Sequence, residues 1–127
     1  MVDLTGVPFE IPNLFFGLKS VNGVIRVREK SIILEFDEKD ILGGFIKNEM
    51  HEAEIQSGEL KSVALKRGVL KSKIILVFRE SIKNQLLPEI SGDIIILKIP
   101  REFRADADRL LTRLKMMIDQ YNSTENQ

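Results

Sequence analysis

There is no cysteine and no tryptophan in this sequence, and it holds one histidine and one tyrosine. Without cysteine there is no disulfide, no thiolate nucleophile and no cysteine-based zinc site. A Ser-His-Asp triad would have to use His51 as its base, and no nucleophile motif such as G-x-S-x-G accompanies it. In "NEMHEAE", strand alternation puts His51 with Glu49 and sends Glu52 and Glu54 to the opposite face, so the one candidate metal set is split. His51 reads as a surface histidine. No catalytic residue, metal ligand or cofactor site is assigned, and "LGGF" lacks the context of a dinucleotide or Walker fingerprint.

Other shortages exclude other classes. Nineteen basic residues balance nineteen acidic ones, whereas a dedicated nucleic-acid binder usually carries net positive charge. Stacking platforms are scarce too, since the seven phenylalanines fall mainly at core-like positions. No apolar run approaches the ~20 residues of a membrane span. The start, "MVDLTGVPFEIPNLFFG", has no basic segment followed by an apolar one, so no signal peptide is expected and the cytoplasm is the expected compartment.

What is present suits one globular domain: 127 residues, 43% of them hydrophobic. Residues 1–14, with Pro8 and Pro12, read as an irregular lead-in, and Phe9, Phe15 and Phe16 as packing anchors. "GVIRVREKSIILEFD" predicts a hairpin. A two-residue loop at Glu29-Lys30 would set Val27 opposite Ile32 and Ile25 opposite Leu34, with Arg26 diagonal to Glu35 on the other face. Gly43-Gly44 marks a turn, and residues 45–56 read as a polar edge strand, with a helix as the competing reading.

"LKSVALKRG" turns Val63 and Leu65 to one face, and "KIILVF" does the same with Ile74, Leu76 and Phe78. Gly68 between them offers the positive φ that tight hairpins often need. "SIKNQLLPEISG" is a connection, and "DIIILKI" a strand ended by Pro100. In "REFRADADRLLTRLKMMIDQYN" the residues Leu110, Leu111, Leu114, Met117, Ile118 and Tyr121 recur at helical steps, and the tail 123–127 is expected to fray. Such a helix needs a sheet or barrel mouth to bury its stripe.

The passages "GVIRVREKSIILEF", "GGFIKNEMHEAEIQSGELKSVALKRG", "KIILVF" and "GDIIILKIPREFRADADRLLTRL" resemble the bacterial pleckstrin-homology-like (PH-like) domains. The resemblance spans positions 23–121 and rests on pattern. It implies a split barrel of six to seven antiparallel strands capped by one amphipathic helix, with residues 15–122 as the domain and 45–56 as a strand. START-like helix-grip folds and NTF2-like cones are the alternatives, and with them a small-ligand-binding cone or enzyme. Both usually open with helices, where this chain shows none. In eukaryotic relatives of the fold, basic residues around the first hairpin often bind inositol phosphates. Lys19, Arg26 and Arg28 match those letters, but here the arginines precede the turn and the short Glu29-Lys30 loop includes an acid.

Two surface features bear on function. Residues 35–59 hold eight acids and two bases, and residues 61–83 hold seven bases and one acid. Opposite charges paired across adjacent strands are the simpler expectation, and a polarised surface for a partner the other. The second feature is the turn in "LKRGVLKSK". Lys66, Arg67, Lys71 and Lys73 form a candidate anion patch, which makes an anionic membrane surface or phosphate ligand one possible target. Val69 and Leu70 place aliphatic side chains where a solvated turn would be polar, so they are the candidate protein interface. The expectation is a non-catalytic module that binds a protein partner or a second copy of itself.

Overall fold

The computed structural model describes residues 6–14, 19–40, 50–80 and 93–125. Short alternating runs give seven strands: β1 Val7–Leu14, β2 Lys19–Val27, β3 Ser31–Asp40, β4 Met50–Gln56, β5 Leu60–Lys66, β6 Lys71–Phe78 and β7 Ile94–Pro100. A helix, α1 Arg104–Glu125, follows. Every pairing is antiparallel, in the order β4-β3-β2-β1-β7-β6-β5.

That order forces the sheet to curl. β4 and β5 are its two edges, yet only the 3-10 turn Ser57–Glu59 separates them in sequence. Strands lie about 4.8 Å apart, so the edges of a flat seven-stranded sheet would stand about 29 Å apart. Four Cα–Cα steps, from Gln56 to Leu60, reach at most about 14 Å. The edges must therefore approach each other at this corner. Local bonds hold it: Gln56 N–H donates to the Glu59 carboxylate at 2.7 Å, and Ser57 N–H to the Lys30 carbonyl at 2.9 Å. On the far side β1 and β7 share a single bridge, Glu10↔Lys98, whereas the other neighbouring strands share long ladders. The sheet is thus divided into a four-stranded half, β1–β4, and a three-stranded half, β5–β7. This is consistent with a PH-like split barrel and its capping helix.

The inward faces meet in one core. Ile25, Ile32, Leu34 and Ile55 come from the first half, and Ile74, Leu76, Phe78 and Leu97 from the second, all buried. Ala107, Leu110, Leu114, Met117 and Ile118 bring in the apolar stripe of α1, which packs chiefly on β5. Fully burying each large side chain is worth about 1.5–3 kcal/mol. A second contact steadies the far end of the helix. Arg79 lies over the Tyr121 ring, 5.6 Å from its centroid, and donates to Asn122 Oδ1 at 2.9 Å.

The β2–β3 hairpin has the predicted register. Val27 pairs with Ile32 and Ile25 with Leu34, and Arg28 N–H closes the turn on Ser31 O at 2.8 Å. Arg26 reaches diagonally to Glu35, Nη1 to Oε1 2.6 Å. β4 is an edge strand as expected, over Met50–Gln56. The expected strand residues 45–49, the turn at Gly43-Gly44, Phe15, Phe16 and the connection 81–92 lie outside the described residues.

Three expectations are corrected. The lead-in is not irregular: Val7–Leu14 is β1, inside the sheet between β2 and β7, with Phe9 buried. Pro8 lacks an N–H and shares one edge of the strand with Glu10, and Pro12 falls where the pairing with β2 shifts register between Ile11 and Leu14. The β2 ladder runs unbroken from Val7 to Ile11, and β7 pairs through one bridge, so the sparsely paired side tolerates the missing Pro8 donor. The helix is preceded by a 3-10 turn at Arg101–Phe103, and it continues beyond residue 122 to Glu125. There Thr124 Oγ1 donates to Gln120 O at 3.0 Å, and Asn122 is held by Arg79.

Candidate functional site on the outer face of strands β5 to β7

The β5–β6 hairpin ends in Arg67, Gly68, Val69 and Leu70. Val69 is 81% exposed and Leu70 76%, so neither contributes to the core. Gly68 is needed here for a different reason from the one expected. Its φ lies outside the left-handed region, but a Cβ would stand 2.5 Å from the Lys71 carbonyl oxygen. The close approach of the two arms selects glycine. Arg104 Nη2 donates to the Gly68 carbonyl at 3.3 Å, tying the tip to the start of α1.

The candidate anion patch does not form one cradle. Arg67 pairs with Asp108 at 2.8 Å and Lys71 with Glu10 at 3.3 Å. These exposed pairs are worth at most about 1 kcal/mol each, but they direct two of the four cations toward acids of the chain itself. Lys66 and Lys73 face each other directly across the ladder, and the row continues to Lys98 on β7. Lys98 belongs to this cluster through register alone, which the sequence does not display.

Beside this row lie apolar ones on the same outward face. Ala64, Ile75 and Ile96 align across the three strands, with Val77 opposite Ile94 in the next row. Ile94 is 51% exposed and Ile96 43%. β5, β6 and β7 contain no acidic residue. The outward face of this half is therefore lysine and aliphatic.

The other half carries the opposite sign. Glu35 on β3 directly opposes Glu52 on β4, Glu54 opposes Ile33, and Asp37 opposes the exposed Met50. The expected pairing of the acidic and basic blocks across adjacent strands does not occur, because β3–β4 and β5–β6 lie at opposite ends of the sheet order. Glu35 is instead paired with Arg26 on β2. The two blocks are segregated onto two halves of one barrel.

His51 points to the inner side of the rim and stacks on Phe36, ring centroids 5.3 Å apart at 24°. Glu52 and Glu54 project outward, so alternation separates them from His51 as the sequence predicts, and Glu49 lies outside the described residues. Among the described residues no group of three or more His, Asp or Glu side chains could hold a metal ion. A groove of about 500 Å³ lies outside the barrel beside the last turns of α1, lined by Glu29, Lys30, Ser57, Tyr121 and Thr124 among others. It includes hydroxyls and carboxylates but no histidine, and so offers no imidazole base for a nucleophile. Among the described residues no helix is long and apolar enough to cross a membrane. No family model matches the chain, and no curated protein matches it.

Proposed function

We propose that this chain is a cytoplasmic, non-catalytic binding module of the PH-like class, which engages a protein partner or a second copy of itself through the β5–β6 tip. The exposure of Val69 and Leu70 carries the reading. Two adjacent large aliphatic side chains stand in water at the end of a hairpin anchored by Arg104 and by the Arg67–Asp108 pair. Burying both in a contact would contribute about 3–5 kcal/mol, enough to change affinity by a factor of roughly a hundred or more. The test is Val69→Asp with Leu70→Asp, followed by light scattering over a concentration series and by binding to any identified partner. The expected result is loss of association with the thermal melt unchanged. Undiminished association would refute the reading.

A second reading is favoured by one observation, the absence of acids from β5–β7 around the Lys66–Lys73–Lys98 row. An anionic bilayer would complement that face, with the tip aliphatics entering the headgroup region. This reading expects sedimentation with phosphatidylserine vesicles that weakens with salt. No binding to such vesicles at low ionic strength would remove it.

A further inference from the structure

The two halves of the barrel complement each other in charge. Lys66, Lys73 and Lys98 stand in register on the outward face of β5–β7, and Glu35, Glu52 and Glu54 on the outward face of β3–β4. Lys66, Lys73, Glu52 and Glu54 are exposed. Within the monomer like charges adjoin in both rows: Lys73 has a lysine on each side and Glu35 faces Glu52, while opposite charges meet them only at the margins, Arg26 at Glu35 and Glu10 opposite Lys98. Sheet order keeps the two sets on different strands, and among the described residues no ion pair joins them. The whole chain is neutral, so each copy carries a matching amount of either sign.

From this we infer that the occupant of the lysine face is the glutamate face of a second copy of this chain, in a head-to-tail contact. The inference rests on the reading that the chain associates with itself. Lys66, Lys73 and Glu52 would then gain the opposite charges that none of their cross-strand neighbours supplies. Aliphatic surface is available on both sides, with Ile94 and Ile96 beside the lysines and Met50 beside the glutamates. A head-to-tail contact is heterologous, so it propagates into chains unless its rotation closes a ring. Its strength should track the Debye length, which falls from about 30 Å in 0.01 M salt to about 8 Å in 0.15 M.

Charge exchange tests it. Lys66→Glu with Lys73→Glu makes both faces acidic, and Glu52→Lys with Glu54→Lys weakens or reverses the acidic one. Thermal melts first establish that each variant folds. Sedimentation velocity at low salt is expected to show growth in mass with concentration for the wild type, at least about tenfold weaker association for either variant alone, and recovery in their 1:1 mixture. Lys30→Glu with Lys115→Glu has the same net charge as the first variant but alters neither face, and should associate on its own as the wild type does.

A mixture that stays monomeric would overturn the inference, as would a control that loses association as fully as the first variant, since net charge and not the faces would then decide it. So would a wild type that remains monomeric at low salt, including one that sediments with phosphatidylserine vesicles instead. Failure of the tip reading looks different: Val69→Asp with Leu70→Asp would leave association intact while charge exchange still controlled it.

Discussion

The corner that brings the two sheet edges together depends on a glycine, and replacing it gives a test with a change of sign. A Cβ at Gly58 would stand 2.9 Å from Cε2 and Cζ of Tyr121 and 3.0 Å from its hydroxyl. Carbon atoms prefer about 3.5–4.0 Å, so in Gly58→Ala the ring must retreat by roughly 0.6 Å or more. A gap of that size forfeits about a quarter to a half of the attraction at each affected contact. The retreat also loosens the Arg79 cation–π contact, worth about 0.5–1 kcal/mol where exposed. The combined loss is about 1–2 kcal/mol on these two terms. Against it stands a gain of about 0.4–1 kcal/mol from the stiffer unfolded chain, because Gly58 has no positive φ that alanine would resist. Gly58→Ala alone should therefore cost about 0–1.6 kcal/mol, a drop of up to roughly 6 °C in Tm. In a Tyr121→Ala background the obstacle is gone, and the same substitution should stabilise by about 0.4–1 kcal/mol. Urea unfolding of the four proteins, followed by circular dichroism, measures the cycle. An equal effect of Gly58→Ala in both backgrounds would refute the claim that the ring occupies the space a side chain would need.

Three further substitutions probe separate features. Ser72 is buried on β6 with its Oγ lacking a hydrogen-bond partner; since such a hydroxyl costs about 1–3 kcal/mol, Ser72→Ala should raise Tm, and a fall would contradict the assignment. Leu110 is fully buried under the barrel, so Leu110→Ala should cost about 2–5 kcal/mol in urea unfolding, and a cost below 1 would mean that the helix is not seated there. Lys73→Glu replaces two like-charge cross-strand pairs by two opposite ones. It should stabilise the monomer by up to about 1 kcal/mol while weakening self-association, and a loss of both would show that Lys73 acts through folding.

Features that depend on neighbours in sequence were legible there. The β2–β3 hairpin follows from a period of two and a two-residue loop, and its register carries the Arg26–Glu35 diagonal with it. The stripe of α1 follows from its spacing: of the six expected positions Leu110, Leu114, Met117 and Ile118 are buried, Leu111 and Tyr121 are half-buried, and Ala107 joins them unforeseen. β1 was hidden because Pro8 and Pro12 imitate a loop, and their tolerance depends on how little β7 pairs with that strand and on the register shift at Pro12. Gly68 was recognised as a turn residue, but the contact that requires it, the Lys71 carbonyl, is a property of the folded hairpin. The site was legible by halves. Val69, Leu70, Lys66 and Lys73 are contiguous enough to draw notice, whereas Lys98 joins them from 25 residues beyond Lys73 through cross-strand register.

The segregation of charge is difficult to explain as a contribution to the stability of the isolated fold. Glu35–Glu52, Lys66–Lys73 and Lys73–Lys98 are direct cross-strand pairs of like sign, and each costs a few tenths to about 1 kcal/mol. Together they withdraw about 1–3 kcal/mol from a total stability on the order of 5–15 kcal/mol. The same residues rearranged, with Glu52 and Lys73 exchanged, would remove all three penalties without altering the core, since both positions point away from it. A pattern that opposes folding and leaves packing untouched is what the proposed contact between copies would use. An opposing surface of the other sign turns the same repulsion into attraction, and this chain presents such a surface on its own other half.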